Sequence, residues 1–65
     1  MRIEGFKIRL LLAERNLKQY DLAELSGISR ATINSVLNGK KASVRTIYAI
    51  SKALNVPAED IISGQ

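Results

Sequence analysis

The chain has 65 residues, ten of them basic and six acidic, with a net charge of +4. That length allows one small domain, residues 1–65, with a modest apolar core. Neither cysteine nor histidine occurs, which excludes disulfides, thiolate or imidazole metal sites, and the usual general bases and nucleophiles of enzymes.

Apolar residues recur at spacings of three and four between breaks marked by glycine and asparagine, so helices are expected and strands are not. The first helix is predicted from about Gly5 to Arg15, with Ile8, Leu11 and Leu12 as its buried stripe and Asn16 taking the left-handed conformation at its end. A second covers about Gln19 to Ser26, burying Leu22, Ala23 and Leu25, and Gly27 stops it. A third follows Ser29, a good N-cap, and runs to about Leu37, burying Ile33 and Val36. Asn38-Gly39 ends it. The fourth follows Ser43, another N-cap, and reaches Leu54, burying Val44, Ile47, Ile50 and Leu54. Pro57 is tolerated at a helix start, so a short fifth helix is expected over about 58–62. Each helix is too short to persist alone, and together they imply a compact all-α domain.

The longest apolar run, Leu10 to Ala13, is far too short to span a bilayer, and the N-terminus lacks the apolar centre of a signal peptide. A soluble cytoplasmic protein is the default. No glycine-rich phosphate loop appears, and no cofactor or metal is expected.

Charge placement is more informative than the net charge. No acid occurs from Leu25 to Ala58, a stretch that carries Arg30, Lys40, Lys41, Arg45 and Lys52. A segment of one sign suits a polyanionic partner, although small soluble domains also carry plain solvated basic surfaces. Within it lies the most specific motif, a helix, short turn and helix over about 19–38. Ala23 is small where two helices would cross closely, Gly27 suits a turn that needs positive φ, and Ile28, Ile33 and Val36 would anchor the second helix. The face left exposed carries Arg30, Ala31, Asn34 and Ser35, which suit base edges in a major groove.

At these residues the chain resembles the helix-turn-helix family of phage lambda-type repressors and Cro proteins, with their bacterial regulator relatives. The likeness runs from about Ile8 to Ile62. It rests on Leu17, Gln19, Leu22-Ala23, Gly27-Ile28-Ser29, Thr32-Ile33, Asn38-Gly39-Lys40, Ala53-Leu54, Val56 and Ile61. It implies a five-helix, lambda repressor-like domain that binds double-stranded operator DNA, usually as a homodimer on a near-palindromic site. Residues 30–37 would then be the recognition helix, with Arg30, Ala31, Asn34 and Ser35 reading bases; a phosphate contact is the competing role for Arg30, and plain solvent exposure that for Ala31 and Asn34. Gln19 would meet a phosphate at a helix N-terminus, and Ser29 would cap the recognition helix and add a phosphate contact. Lys40, Lys41 and Arg45 would neutralise phosphates. Thr32 matches a position that faces either phosphate or the motif's own packing, and packing is the favoured role.

Two departures stand out. Many relatives pair an arginine at the position of Leu12 with a glutamate at that of Leu37; here both are leucine, an exchange that can be neutral or stabilising when made jointly. Lys18 stands where relatives cap with serine or threonine and cannot accept a hydrogen bond. The rival reading is a protein-interaction module of the same fold, such as an antitoxin whose main partner is a toxin. Tyr20, Tyr48, Ile3 and Ile62 would then be exposed for a partner or for self-association.

Overall fold

The computed structural model describes residues 1–63, so the last two residues of the expected 1–65 unit lie outside it. Four α-helices follow in chain order: α1 (Gly5–Glu14), α2 (Gln19–Ser26), α3 (Arg30–Leu37) and α4 (Val44–Leu54). A single 3-10 turn, Ala58–Asp60, closes the series.

The helix ends obey one rule. Each helix is followed within two residues by a position of positive φ: Asn16 after α1, Gly27 after α2, Gly39 after α3 and Asn55 after α4. Glycine and asparagine tolerate that left-handed conformation, which turns the chain and satisfies the last carbonyls. After α3, the Lys40 N–H donates to the Ser35 carbonyl at 3.1 Å and the Gly39 N–H to that of Val36 at 3.2 Å. The same two-bond pattern closes α1 through Leu17 and Asn16, and α4 through Val56 and Asn55. Helix starts are less uniform. The hydroxyl oxygens of Ser29 and Ser43 accept from the Thr32 and Thr46 N–H groups at 3.2 and 3.1 Å. At α2 the Lys18 side chain cannot accept, but the Asp21 carboxylate reaches back to the Lys18 N–H at 2.8 Å. That is the reciprocal half of a capping box.

One apolar cluster joins all four helices. Ile8, Leu22, Ile33, Ile50, Leu54 and Ile61 are its fully buried side chains. Leu12 and Leu37 belong to the same cluster, 4 % and 3 % exposed. The shared burial fits an apolar replacement for the relatives' ion pair.

Several expectations need correction. The fifth helix is only a 3-10 turn, because the chain after it pairs with the N-terminal segment and the Ser63 N–H that would continue a helix is used there. Ile61 accepts from the Glu4 N–H at 2.7 Å and Ser63 donates to the Arg2 carbonyl at 2.8 Å, leaving Ile3 and Ile62 in an isolated antiparallel bridge. That bridge, with a second between Arg2 and Lys41, is the extended pairing the apolar pattern did not announce. Ile3 is consequently buried rather than exposed, and Ile62 is half-buried. Leu25 is exposed: the inward stripe of α2 is Gln19, Leu22, Ala23 and Ser26, spaced i, i+3, i+4, i+7, and Leu25 falls off it. Val44, at the first position of α4, is 72 % exposed and lies on the rim of a groove rather than beneath another element.

Candidate nucleic-acid interface

Alpha-helices α2 and α3 are joined by Gly27, Ile28 and Ser29 alone. Gly27 turns the chain at φ 74°, and its N–H donates to the Ala23 carbonyl at 2.9 Å. The Ile28 N–H is taken by the Ser26 hydroxyl at 3.2 Å. Beyond this short link, α3 is held by Ile33, Val36 and Leu37 on its inner side. Its outer side carries Arg30, Ala31, Asn34 and Ser35, every one exposed. The structure therefore brings the four sequence-nominated base-reading residues onto one open helical face.

The nominated phosphate ligands lie at the start of α2, at the turn before α3, after the end of α3 and in the first turn of α4. Gln19 is the first residue of α2 and half-buried, beside backbone N–H groups that a helix leaves without internal partners. Ser29 caps α3 and also donates its hydroxyl hydrogen to Thr32 Oγ1 at 3.0 Å. Thr32 thus serves the cap and is itself exposed, not packed into the core. Lys40 and Lys41 follow the end of α3, and Arg45 lies in the first turn of α4; all are exposed.

Helix electrostatics make two of these cations informative. Arg30 and Arg45 occupy the first turns of α3 and α4, and neither turn contains an acid. A cation at a helix N-terminus opposes the macrodipole, at a cost of a few tenths of a kcal/mol or more. Their placement does not serve helix stability, and it does suit a bound anion.

Two further arginines, which the local sequence pattern does not single out, belong to this region. Arg9 of α1 donates from Nη1 to the Leu37 carbonyl at 3.0 Å and from Nη2 to Asn38 Oδ1 at 3.1 Å. Arg2 donates from Nε to the Gly39 carbonyl at 2.9 Å. Both place positive charge at the C-terminal end of α3, where the dipole and the spare carbonyls favour it. Asn38 in turn donates to Asn34 Oδ1 at 3.4 Å. Gly5 belongs to the same junction: a Cβ there would collide with the Leu37 carbonyl oxygen. The general signal was available, since helix C-termini attract cations. Separations of 28 and 37 residues hid which cations answer it.

Tyr20, considered as a partner-facing residue, has a nearer neighbour. The Arg30 guanidinium lies over its ring, 5.3 Å from the centroid. Tyr48 is exposed and carries Lys52 at 5.8 Å from its ring centre. Away from α3, Met1, Val44, Ile47, Tyr48, Ala58 and Ile62 line a shallow apolar groove.

A short-linked helix pair with an open polar face on the second helix defines a helix-turn-helix protein. The Cro/C1-type helix-turn-helix family matches residues 8–61, and the chain belongs to it. This is a family of transcriptional regulators, not of enzymes. The chain is 42 % identical over 50 residues to the HTH-type transcriptional regulator PrtR of Pseudomonas aeruginosa, covering 77 % of this chain and 20 % of that protein. It is 37 % identical over 60 residues to the HTH-type transcriptional repressor RghR of Bacillus subtilis, covering 89 % and 44 %. The chain thus spans a fifth to less than half of these relatives. Among solved structures it resembles the restriction-modification controller protein C.AhdI from Aeromonas hydrophila, with a TM-score of 0.79, 30 % identity and 86 % of each chain covered. Among the described residues no helix is long and apolar enough to cross a membrane.

Proposed function

We propose that the chain binds double-stranded DNA sequence-specifically, as a small prokaryotic or phage transcriptional regulator acting as a repressor in the cytoplasm. The observation that carries this reading is the outer face of α3: four short or donor-bearing exposed side chains, set in a stretch, residues 25–58, that carries five cations and no acid. Laid in a major groove, α3 presents Arg30, Ala31, Asn34 and Ser35 to base edges. Arginine can donate twice to guanine O6 and N7, and an alanine methyl can pack on that of thymine. Gln19, Ser29, Lys40, Lys41 and Arg45 meet phosphates on either side, which fixes register without reading sequence.

One recognition helix reads only a few base pairs. The reading therefore includes a homodimer on a near-palindromic operator, with two copies of α3 about 34 Å apart, one helical turn of DNA. The apolar groove beside Ile62 is the surface assigned to the second copy, since Met1, Val44 and Tyr48 leave large apolar area exposed there.

That same groove favours the rival reading, a protein-interaction module such as an antitoxin. Titration of a generic duplex at two salt concentrations separates the two. Phosphate neutralisation makes affinity fall steeply as salt rises, whereas an apolar protein interface barely responds. Measurable duplex binding with a steep salt slope supports the DNA reading; no binding at low salt overturns it.

A further inference from the structure

Tyr20 is the second residue of α2 and Arg30 the first of α3, so the two face each other across the turn at Gly27. Their contact is of a particular kind. The guanidinium lies over the aromatic ring at 5.3 Å, within the range where a cation is attracted to the ring's negative face. An arginine held by a carboxylate spends its N–H fork on that partner. An arginine held by a ring offers only its flat face, and the donors around its edge remain free. Both residues are exposed, so the pairing forms at the surface where the open face of α3 begins.

We propose that Tyr20 is a positioning residue that sets Arg30 in place for the groove and thereby fixes the choice of base opposite it. The proposal rests on the DNA-binding reading above and adds a residue outside the recognition helix. A free arginine has many rotamers, and ordering it on binding carries an entropic cost. The ring of Tyr20 limits those rotamers beforehand while leaving the edge able to donate twice. The phenol hydroxyl has no part in this, so phenylalanine should serve as well as tyrosine.

The test begins with selection of bound sequences from a random duplex pool by the whole chain. Affinities are then measured by fluorescence anisotropy for the selected duplex, its single-base variants and a scrambled duplex, across a salt series. The proteins are wild type, Tyr20→Phe, Tyr20→Leu, Arg30→Ala and the double variant Tyr20→Leu/Arg30→Ala. Tyr20 is 49 % exposed, so its substitution should leave the helices intact, and circular dichroism of each variant checks this. Tyr20→Phe should match wild type. Tyr20→Leu should lose about two- to fivefold of its preference for the selected duplex, the scale of an exposed cation–ring contact. The loss should fall at the same base position that Arg30→Ala relaxes, with the salt slope unchanged. The double variant should be no worse than Arg30→Ala alone, because Tyr20 acts only through Arg30. Additive losses overturn the proposal. So does a Tyr20→Phe defect as large as that of Tyr20→Leu, which would make the hydroxyl a direct ligand. If instead the wild-type chain selects no sequence, the DNA-binding reading itself fails, and the role of Tyr20 fails with it.

Discussion

Replacing Leu37 by glutamate puts back one half of the charged pair that many relatives carry and omits the other. Leu37 is 3 % exposed and Leu12, at the matched position on α1, is 4 % exposed. Losing the buried leucine forfeits about 1.5–3 kcal/mol of apolar transfer. An unpartnered carboxylate in its place adds a desolvation penalty, and disrupted buried pairs set the scale at about 3–5 kcal/mol. A chain of this length is stabilised by only about 3–10 kcal/mol in all. Leu37→Glu should therefore cost at least about 4 kcal/mol and leave much of the protein unfolded at 25 °C. The measurement is urea denaturation followed by far-ultraviolet circular dichroism, comparing wild type, Leu37→Glu, Leu12→Arg and the double variant. The double variant should recover at least half of the loss, because each charge then meets its partner. Burial raises the new carboxyl's folded-state pKa above its unfolded value. The folded state then holds more protons, and stability falls as pH rises. The defect should thus be full at neutral pH and shrink in acid. A Leu37→Glu midpoint equal to that of wild type at pH 7 would mean that the side chain reaches water, and the packing of α1 on α3 described above would be wrong.

Other substitutions probe the junctions. In an ordinary helix Gly→Ala stabilises by up to about 1 kcal/mol, but Gly5→Ala should destabilise, because its Cβ would meet the Leu37 carbonyl oxygen; the sign of the melting shift decides. Gly27→Ala should cost about 1 kcal/mol and Gly27→Asn less, since φ is positive there while the space around a Cβ is open. Arg9→Met should lower stability by about 1–2 kcal/mol, as it removes two donors from the end of α3 and leaves a carbonyl without its charged partner. Val44→Glu should convert the proposed dimer to monomer in sedimentation equilibrium without loss of helix content, since Val44 is exposed on the groove; a wild-type dimer whose mass the substitution leaves unchanged would remove that groove from the proposed interface.

What the chain reveals before folding depends on how local the governing interaction is. The bounds of α2, α3 and α4 follow from capping residues and left-handed terminators within a few positions of each end: Ser29, Ser43, Gly27, Gly39 and Asn55. The outer face of α3 was legible for the same reason, since helical spacing sorts Ile33 and Val36 inward and Asn34 and Ser35 outward. Contacts between distant segments were not legible. Pairing of residues 1–4 with the loop after α3 and with the chain around Ile62 buries Ile3 and stops the fifth helix at a single turn. Nothing in the local pattern signals it. The same holds for Arg2 and Arg9, whose partners are carbonyls on another element. Val44 misled for the opposite reason: it has the right spacing for the α4 stripe, but the neighbouring elements leave it uncovered.

The central claim is that α3 reads bases while the surrounding cations hold phosphates, and one comparison separates those roles. Affinity for a selected duplex and for a scrambled one is measured across a salt series for wild type, Arg30→Ala, Lys40→Ala, Lys41→Ala and Arg45→Ala. The lysine and Arg45 variants should weaken both duplexes alike and lower the log–log salt slope by about one unit, or about two in a symmetric dimer. Arg30→Ala should cost about 1–3 kcal/mol per half-site on the selected duplex alone and relax one base position. Equal losses on both duplexes for Arg30→Ala would make Arg30 a phosphate ligand and leave base reading to Ala31, Asn34 and Ser35. Wild-type affinity in every variant would contradict the account and leave the apolar groove as the working surface of the protein.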